Sequence, residues 1–360
     1  MRVSRLQGRK VFQLVTVMTL IFCMSGLASA ASYKPFVMTA DTSGVAPNTD
    51  PHLVNPWGIS YSGTGPFWTA NNNTGTSTVY NSTGQIQPIV VTIPAVGGAP
   101  VGTPTGTVFN GSTDFVVTQG TKSGPASFIF NSEDGSITGW SPSVNATTAI
   151  VAVDNSPSGA IYKGLEIANN GTGNFLYAAN FFSGKIEVYD KNFHLTNLAG
   201  NFTDPTLPAG VAPHNIRLIN GQLWVLYAKQ NAQKTDPVFG AGFGLVDIFD
   251  LNGNFVKRFT ARGKLNAPWG IALAPSTFGT FANAVIVGNL GDGKMTAYNA
   301  TTGAPLGQLS GANGQPLRIQ GLWALTFGNG GQGGLTNVLY FTAGPGGYQH
   351  GWLGSITFQP

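Results

Sequence analysis

Apolar and polar residues alternate in short stretches along this chain, and no long window repeats apolar residues at helical spacing. Glycine, proline or Asn-Gly turn signals interrupt the stretches about every 8–12 residues. The alternation is clearest in residues 185–190, 245–250 and 294–299, as expected for strands that are covered on one face. The pattern therefore predicts an all-β protein.

A short motif recurs six times and predicts a repeat architecture. The segment Asn55-Pro56-Trp57-Gly58-Ile59 returns as Ala267-Pro268-Trp269-Gly270-Ile271. Looser copies occur at residues 104–108, 162–166, 213–216 and 319–323. The aligned positions follow one another at intervals of 48 to 58 residues, and they are Gly58, Gly106, Gly164, Asn215, Gly270 and Gly321.

Each motif is followed by a second apolar stretch that stops at a small or polar residue, then by a third and an outer strand. The second strands are predicted at residues 67–71, 115–119, 175–180, 223–229, 284–289 and 338–344. Units of about fifty residues with three or four strands favour a six-bladed β-propeller over a β-helix, whose repeats are shorter and more uniform. The predicted blades span about 55–100, 104–155, 160–205, 212–260, 266–312 and 318–358, and residues 33–39 are predicted to close the last blade as its outer strand.

The first thirty residues have the pattern of a secretory signal peptide. Four basic residues precede an apolar run from Val11 to Met24, and Ala28-Ser29-Ala30 follows. We expect cleavage after Ala30, a single domain over 31–360, and no transmembrane segment after cleavage. Bulky Phe22 before Cys23 argues against lipoprotein processing. The predicted location is secreted, periplasmic or otherwise in the cell envelope.

Charge and cysteine usage narrow the function classes. Four of the 18 Lys and Arg residues but none of the 14 Asp and Glu lie in residues 1–30, so the rest of the chain is formally neutral. It lacks the clustered positive face that nucleic acid requires, and we expect no nucleic-acid partner. Cys23 is the only cysteine, so packing rather than disulfide bonds must stabilise residues 31–360. The 50 glycines suit many tight turns.

The repeats resemble NHL-type propellers through the Pro-x-Gly-Ile opening, and nearly all of the chain after residue 30 is similar to a family of exported, uncharacterised bacterial proteins. The family has no activity to carry over, so the resemblance implies the fold and export only. This sequence ends at Pro360 without the apolar sorting tail of some members, and Glu166 stands where relatives have a small residue. The segments that carry the resemblance are 55–58, 65–68, 75–78, 132–135, 177–181, 227–230, 240–242, 265–270 and 341–344.

Oxygen-bearing side chains at equivalent repeat positions suggest a calcium site in the channel. Related lactonase-like propellers hold Ca²⁺ with Glu, Asn and Asp oxygens, which are the hard ligands that this cation prefers. The candidate metal ligands are Glu166, Asn180, Asn289 and Asp292, with Asn71 as a further ligand-binding candidate. Two alternatives compete with this reading. The asparagines can form Asx turns at strand ends, and Glu166 can pair with Arg217, which occupies the matching position of the next repeat.

Histidines and aromatic residues give further candidates. His52 and His214 precede matching strands and His350 lies in a Gly-rich loop, so the three are candidate ligand-binding residues, although they lack the spacing of a sequence-evident metal site. The recurring tryptophans are interpreted as wedges between blades in preference to a sugar platform. The connection from Gln230 to Phe243 is unusually long and is predicted to contact a partner.

Two functions follow from these features. The leading one is a non-enzymatic binding or scaffold propeller, monomeric, that recognises a protein or glycan through loops on one face. The alternative is a Ca²⁺-dependent lactonase-like hydrolase with its site in the central channel. No cofactor is required by the first, and Ca²⁺ is the one implied by the second.

Overall fold

A computed structural model describes residues 31–360 together with Met1, and the predicted signal peptide falls largely outside the described residues. Within this part, the chain forms strands and two short 3₁₀ helices, Ser156–Ser158 and Gly279–Phe281. The strands are β1 Ser32–Ala40, β2 Asn48–Thr49, β3 Pro56–Ser60, β4 Phe67–Asn71, β5 Thr76–Tyr80, β6 Ile86–Thr92, β7 Pro104–Phe109, β8 Val116–Gln119, β9 Lys122–Pro125, β10 Phe128–Ser132, β11 Ser136–Trp140, β12 Ile150–Asp154, β13 Tyr162–Asn169, β14 Asn174–Asn180, β15 Lys185–Tyr189, β16 Leu195–Thr196, β17 Val211–Ile219, β18 Gln222–Lys229, β19 Gly244–Phe249, β20 Phe255–Ala261, β21 Pro268–Leu273, β22 Ala284–Asn289, β23 Met295–Asn299, β24 Pro305–Gln308, β25 Leu322–Phe327, β26 Leu339–Ala343 and β27 Trp352–Gln359.

All of these strands except β8 and β9 form six sheets in a ring, which confirms the six-bladed β-propeller. From the inner to the outer strand, the blades are β3-β4-β5-β6, β7-β10-β11-β12, β13-β14-β15-β16, β17-β18-β19-β20, β21-β22-β23-β24 and β25-β26-β27-β1-β2, numbered here 1 to 6. Each inner strand contacts the inner strand of the next blade, and β25 contacts β3. The ring is therefore closed, and its hydrophobic cores lie between neighbouring sheets.

The first described strand closes the last blade, as the sequence predicts. β1 pairs antiparallel with β27, with Tyr33 opposite Phe358 and Phe36 opposite Ser355. The short β2 extends the sheet by one more strand, parallel to β1. Among the described residues, no helix is long and apolar enough to cross a membrane.

The predicted second strand of blade 2 is wrong. Val116–Gln119 pairs with Lys122–Pro125 in a separate hairpin, and Phe128–Ser132 is the strand that pairs with β7 and β11. The physical reason is burial, because all five residues of Phe128–Ser132 are buried whereas three of the four residues of β8 are exposed. The hairpin is an insertion between the first and second strands of this blade.

The alignment of the sixth repeat on Gly321 is also wrong by three residues. Leu322 pairs with Ala343 just before a register shift, as Pro56 pairs with Asn71 in blade 1. Ala324 therefore occupies the position of Gly58 in the first repeat. The motif Leu-Trp-Ala replaces Pro-Trp-Gly in the last blade.

The glycine of the motif allows neighbouring inner strands to approach closely. A Cβ atom at Gly58 would lie 2.6 Å from the Thr105 carbonyl oxygen of the next blade, and one at Gly106 would lie 2.5 Å from the Leu165 nitrogen. Both distances are to backbone atoms that cannot move without opening the ring. These glycines thus let the inner strands of blades 1, 2 and 3 pack closely against one another.

Candidate functional site

Six side chains, one from each blade, close one end of the central channel. We call them the channel plug: Trp57, Thr105, Lys163, His214, Trp269 and Trp323, all almost completely buried. Trp57 stacks on Trp323 with ring centroids 3.5 Å apart, and Trp269 meets Trp323 edge-on at 5.8 Å. The upper mouth is the surface above this plug, where the inner strands begin, and the lower mouth is the opposite end.

The position of these tryptophans corrects the wedge prediction. Trp57, Trp269 and Trp323 fill the channel instead of separating blades. Trp68 does behave as a wedge, since its ring stacks on Phe128 of blade 2 with centroids 4.1 Å apart. The sequence repeat therefore located the aromatic positions correctly but not the space that they fill.

Lys163 is the charged member of the plug, and no part of its side chain is exposed. Its Nζ donates to Glu133, which follows β10, and to Oδ1 of Asp236 at 3.2 Å. The same Nζ lies 5.2 Å from the Trp57 ring centroid, in cation–π range. A buried ammonium requires such partners, because desolvation of an unpaired charge is very costly.

The long loop of blade 4 supplies one of these two acids. Asp236 lies in the connection between β18 and β19, and its side chain is 63% exposed although it reaches Lys163. The loop is held against the end of β18, because the Val238 nitrogen donates to the Lys229 carbonyl oxygen at 2.8 Å. The predicted recognition loop is thus part of the upper mouth.

His214 is a neutral member of the plug. Its Nδ1 donates to the Pro268 carbonyl oxygen at 2.9 Å, which fixes the tautomer. Burial is the main reason that the pKa of this imidazole is lowered to about 3, and the nearby Lys163 charge adds to the effect. Among the described residues, Nε2 has no hydrogen-bond partner.

A pocket of about 270 Å³ opens beside the plug at the upper mouth. Its walls include the aromatic rings of Phe239 and Tyr348 and the polar side chains of Asp292, Arg318 and Gln320. The Phe239 side chain is 47% exposed, and the Tyr348 ring packs on Trp323 with centroids 5.8 Å apart. Burial raises the pKa of the Tyr348 phenol to about 12, so this hydroxyl stays protonated near neutral pH.

Backbone contacts hold Tyr348 in this wall. Its φ angle is 71°, in the left-handed region, within a Gly-rich turn after β26. The Tyr348 nitrogen donates to the Gly344 carbonyl oxygen at 3.2 Å, and Asn73 Nδ2 donates to the Tyr348 carbonyl oxygen at 2.8 Å. These hydrogen bonds keep the Tyr348 ring in the wall of the pocket.

The structure does not bring Glu166 and Asn180 together. Asn180 lies opposite Tyr162 at the upper end of blade 3, whereas Glu166 is four residues farther along β13, or about 13 Å. Both Glu166 oxygens accept backbone N–H bonds, from Ile167 at 2.9 Å and Leu218 at 2.8 Å. Glu166 therefore belongs to the lower mouth.

The predicted contact between Glu166 and Arg217 is present. Arg217 Nε lies 3.9 Å from Glu166 Oε2 across the joint between blades 3 and 4. This separation is an ion-pair distance but is too long for a direct hydrogen bond.

Asn71, Asn180 and Asn289 do occupy equivalent positions, since each pairs with the first residue of a motif strand or its equivalent. The side-chain amide of each is hydrogen-bonded within the protein, as expected if these residues stabilise the ends of strands instead of binding a cation. Asn71 Nδ2 donates to Thr78 Oγ1 at 2.8 Å, and Asn180 Nδ2 donates to Glu187 Oε1 at 2.7 Å. Asn289 Nδ2 donates to the Lys264 carbonyl oxygen at 2.7 Å and to Asp292 Oδ1 at 3.1 Å. Within residues 31–360, no group of three or more His, Cys, Asp or Glu side chains is arranged to hold a metal ion.

The three histidines proposed as ligand-binding residues occupy different environments. His52 and His350 lie near the joint of blades 1 and 6, with side chains 46% and 52% exposed, whereas His214 is buried in the plug. His52 Nδ1 lies 3.1 Å from Asp50 and His350 Nδ1 lies 2.9 Å from Asp41. The two exposed histidines are thus oriented by carboxylates.

Sequence reasoning missed Lys163, Glu133 and Asp236. The signal was available at the motif position just before the glycine, because Lys163 stands where Trp57 and Trp269 stand in other copies. Its two acids come from loops outside the motif, so only the structure connects them.

The sheets and their closed ring define the class of the protein, a six-bladed β-propeller. The chain is 33% identical over 304 residues to the uncharacterized protein R648 of Acanthamoeba polyphaga mimivirus, covering 82% of this chain and 74% of that protein. It is 32% identical over 329 residues to protein L690 of the same virus, covering 84% and 85%. The chain belongs to the family of these proteins, and no family model matches it.

Solved structures agree with the fold. A glucose dehydrogenase superposes with a TM-score of 0.53 at 12% identity, covering 89% of this chain and 98% of that chain. A catalytically inactive virginiamycin B lyase from Staphylococcus aureus with quinupristin gives a TM-score of 0.50 at 12% identity, covering 91% and 99%. At this identity the likeness concerns the fold alone.

Proposed function

We propose that the protein is an exported, non-enzymatic binding propeller that recognises a glycan at the upper mouth. The observation that carries the proposal is the pocket beside the plug, where two aromatic rings adjoin three polar side chains. Aromatic faces pack against the apolar faces of sugar rings, while Asp292, Arg318 and Gln320 offer acceptors and donors for hydroxyl groups.

The titratable groups of the channel favour binding over catalysis. Lys163 is held by two carboxylates, both Glu166 oxygens accept amide hydrogens, and His214 is buried and neutral. A general acid or base must exchange protons with a bound substrate, and these groups are committed to the fold instead. The residues that line the pocket lie in loops, as suits a recognition surface on a rigid scaffold.

The test is a glycan array probed with the purified protein and two variants. Phe239→Ala removes an exposed ring of the pocket, and Arg318→Ala removes its cation. We expect each to reduce binding about tenfold, the typical effect of losing one good contact. Phe36→Ala is the matched control, because that ring is 51% exposed on the outer strand β1. Binding that survives both pocket variants would place the ligand elsewhere.

Export is part of the proposal and rests on the basic, apolar and small-residue segments of the first thirty residues. Expression of the full chain in a bacterial host followed by amino-terminal sequencing of the exported protein is expected to give Ala31 as the first residue. Recovery of the uncleaved chain in the cytoplasm alone would contradict it.

The Ca²⁺-dependent hydrolase remains the competing function. It requires Glu166 to share a cation with Asn180 or Asn289, which the separation along blade 3 opposes. Titration with Ca²⁺ while following the melting temperature separates the two functions, because a cation that binds only the folded state raises that temperature. A large upward shift that Glu166→Gln abolishes would favour the hydrolase.

A further inference from the structure

The lower mouth of the channel contains a second, separate hollow. Two adjoining cavities of about 180 Å³ and 270 Å³ share Tyr61, Arg217 and Thr326 as lining residues. Toward the motif glycines the channel narrows to a space of about 10 Å³, and the plug closes it beyond. The hollow is therefore blind and opens only on the face opposite the upper mouth.

Arg217 is the one cation, and Glu166 the one acid, among the residues that line this hollow. Across residues 31–360 its guanidinium donates no hydrogen bond, and its nearest acid, Glu166, is 3.9 Å away. Glu166 is itself fixed by two backbone N–H groups. The planar fork of five N–H donors is thus available to a ligand, and its geometry matches a carboxylate.

The hydroxyl groups around Arg217 already form hydrogen bonds within the protein. Ser60 Oγ and Thr107 Oγ1 lie 3.2 Å apart in a mutual hydrogen bond, and Tyr61 OH donates to the Phe327 carbonyl oxygen at 2.6 Å. The other lining residues include the apolar side chains of Ile59, Val108, Phe109, Ile271, Leu273 and Leu325. A guanidinium that donates no hydrogen bond within the described part of the chain, with apolar side chains beside it, fits an anion that has an apolar body.

We infer that the lower mouth binds a small organic carboxylate with an apolar body, and that Arg217 holds the carboxylate. The apolar part would pack against the isoleucine and leucine side chains at the channel wall. This site lies beyond the proposed glycan site, because the plug separates the two mouths.

The test is calorimetric titration of the purified protein with benzoate, with benzamide as the neutral ligand of the same shape. We expect benzoate to bind at least about tenfold more tightly than benzamide, because a charge-assisted bidentate pair is lost with the neutral ligand. Arg217→Met is expected to remove this difference. Arg217→Lys keeps the positive charge beside Glu166, and we expect it to weaken benzoate binding because the fork is lost.

Arg262→Met is the matched control, since this exposed arginine follows β20 and lines neither the lower-mouth cavities nor the upper-mouth pocket, so it should leave benzoate binding unchanged. Equal binding of benzoate and benzamide, absence of benzoate binding to the unmodified protein, or full benzoate binding by folded Arg217→Lys would each overturn the inference. Inorganic phosphate that binds as tightly as benzoate would also overturn it, because the apolar body would then contribute nothing.

Discussion

Trp57 and Trp323 stack in parallel with their ring centroids 3.5 Å apart, although they belong to the first and last blades. Their contact joins the inner strands of the two blades, and Trp323 Nε1 also donates to Asn55 Oδ1 at 2.8 Å. The joint between blades 6 and 1 is therefore fastened at its inner edge by aromatic stacking and a buried hydrogen bond. The outer edge depends on a different element, the strand β1.

Tyr33 of β1 fastens the outer part of blade 6 to blade 5. Its ring packs on Phe278 and Phe281, and its hydroxyl donates to the Phe278 carbonyl oxygen at 3.0 Å. We expect Tyr33→Ala to lower the free energy of unfolding by about 3–4 kcal/mol, because it leaves a cavity and an unpaired buried carbonyl. Chemical denaturation measures the change. Phe36→Ala on the same strand should change stability by less than about 1 kcal/mol, and an equal loss in both variants would contradict this role of Tyr33.

Gly58 tests the close approach of neighbouring inner strands. An added methyl group would lie 2.6 Å from the Thr105 carbonyl oxygen and 2.9 Å from the Thr107 nitrogen, both in blade 2. We expect Gly58→Ala to destabilise the protein by at least about 2 kcal/mol in thermal or chemical unfolding. Gly63→Ala is the matched control, because nothing lies within 4 Å of its added Cβ. A Gly58→Ala variant as stable as the control would show that the ring can widen.

The repeat made the fold predictable, while two local features were not. The Pro-Trp-Gly motifs and the alternating strands are enough to predict the number of blades and the closing strand β1. The hairpin β8–β9 was mistaken for a blade strand because residues 115–119 also form an apolar stretch that stops at a polar residue, and only burial separates them from Phe128–Ser132. Gly321 was misaligned because Ala324 replaces the expected glycine.

The candidate sites were less predictable, since they depend on contacts between blades. Glu166 and Arg217 could be paired from repeat positions alone, and the structure shows that contact. Lys163 could not be linked to Asp236, because loop geometry is not encoded in the repeat. The asparagines gave a false impression of convergence, because equivalent repeat positions are distributed around the ring.

The ion pairs of Lys163 allow a test of charge burial. Glu133 is 25% exposed and Asp236 is 63% exposed, whereas Lys163 is wholly buried. We expect Glu133→Gln to destabilise the protein by about 3 kcal/mol, since it leaves a buried ammonium with one partner. Lys163→Met should cost less than about 1.5 kcal/mol, because the freed carboxylates reach water and the apolar side chain remains among aromatic rings.

A double variant distinguishes this account from simple packing loss. If charge burial dominates, Glu133→Gln combined with Lys163→Met should be more stable than Glu133→Gln alone, as measured by a double-mutant cycle in chemical denaturation. Strictly additive losses would contradict the explanation.

His214 makes stability depend on pH in a direction that follows from its burial. Burial lowers the pKa of the folded-state imidazole to about 3, whereas the unfolded chain takes up the proton near pH 6.5. Between these values the unfolded state binds more protons, so the stability from this residue is complete above about pH 6.5 and is lost as pH falls.

We therefore expect His214→Asn to be less sensitive to acid than the unmodified protein. The linkage amounts to about 1.4 kcal/mol per pH unit, or about 2–3 kcal/mol between pH 6.5 and 4.5. The amide of Asn can still donate to the Pro268 carbonyl oxygen but takes up no proton. Chemical denaturation of both proteins at the two pH values gives the change in unfolding free energy of each. The carboxylates titrate in both proteins, so their contribution cancels when the two changes are compared. His194→Asn, whose side chain is 78% exposed, should retain the pH dependence of the unmodified protein. Identical slopes for His214→Asn and the unmodified protein would mean that the channel plug admits a charged imidazole.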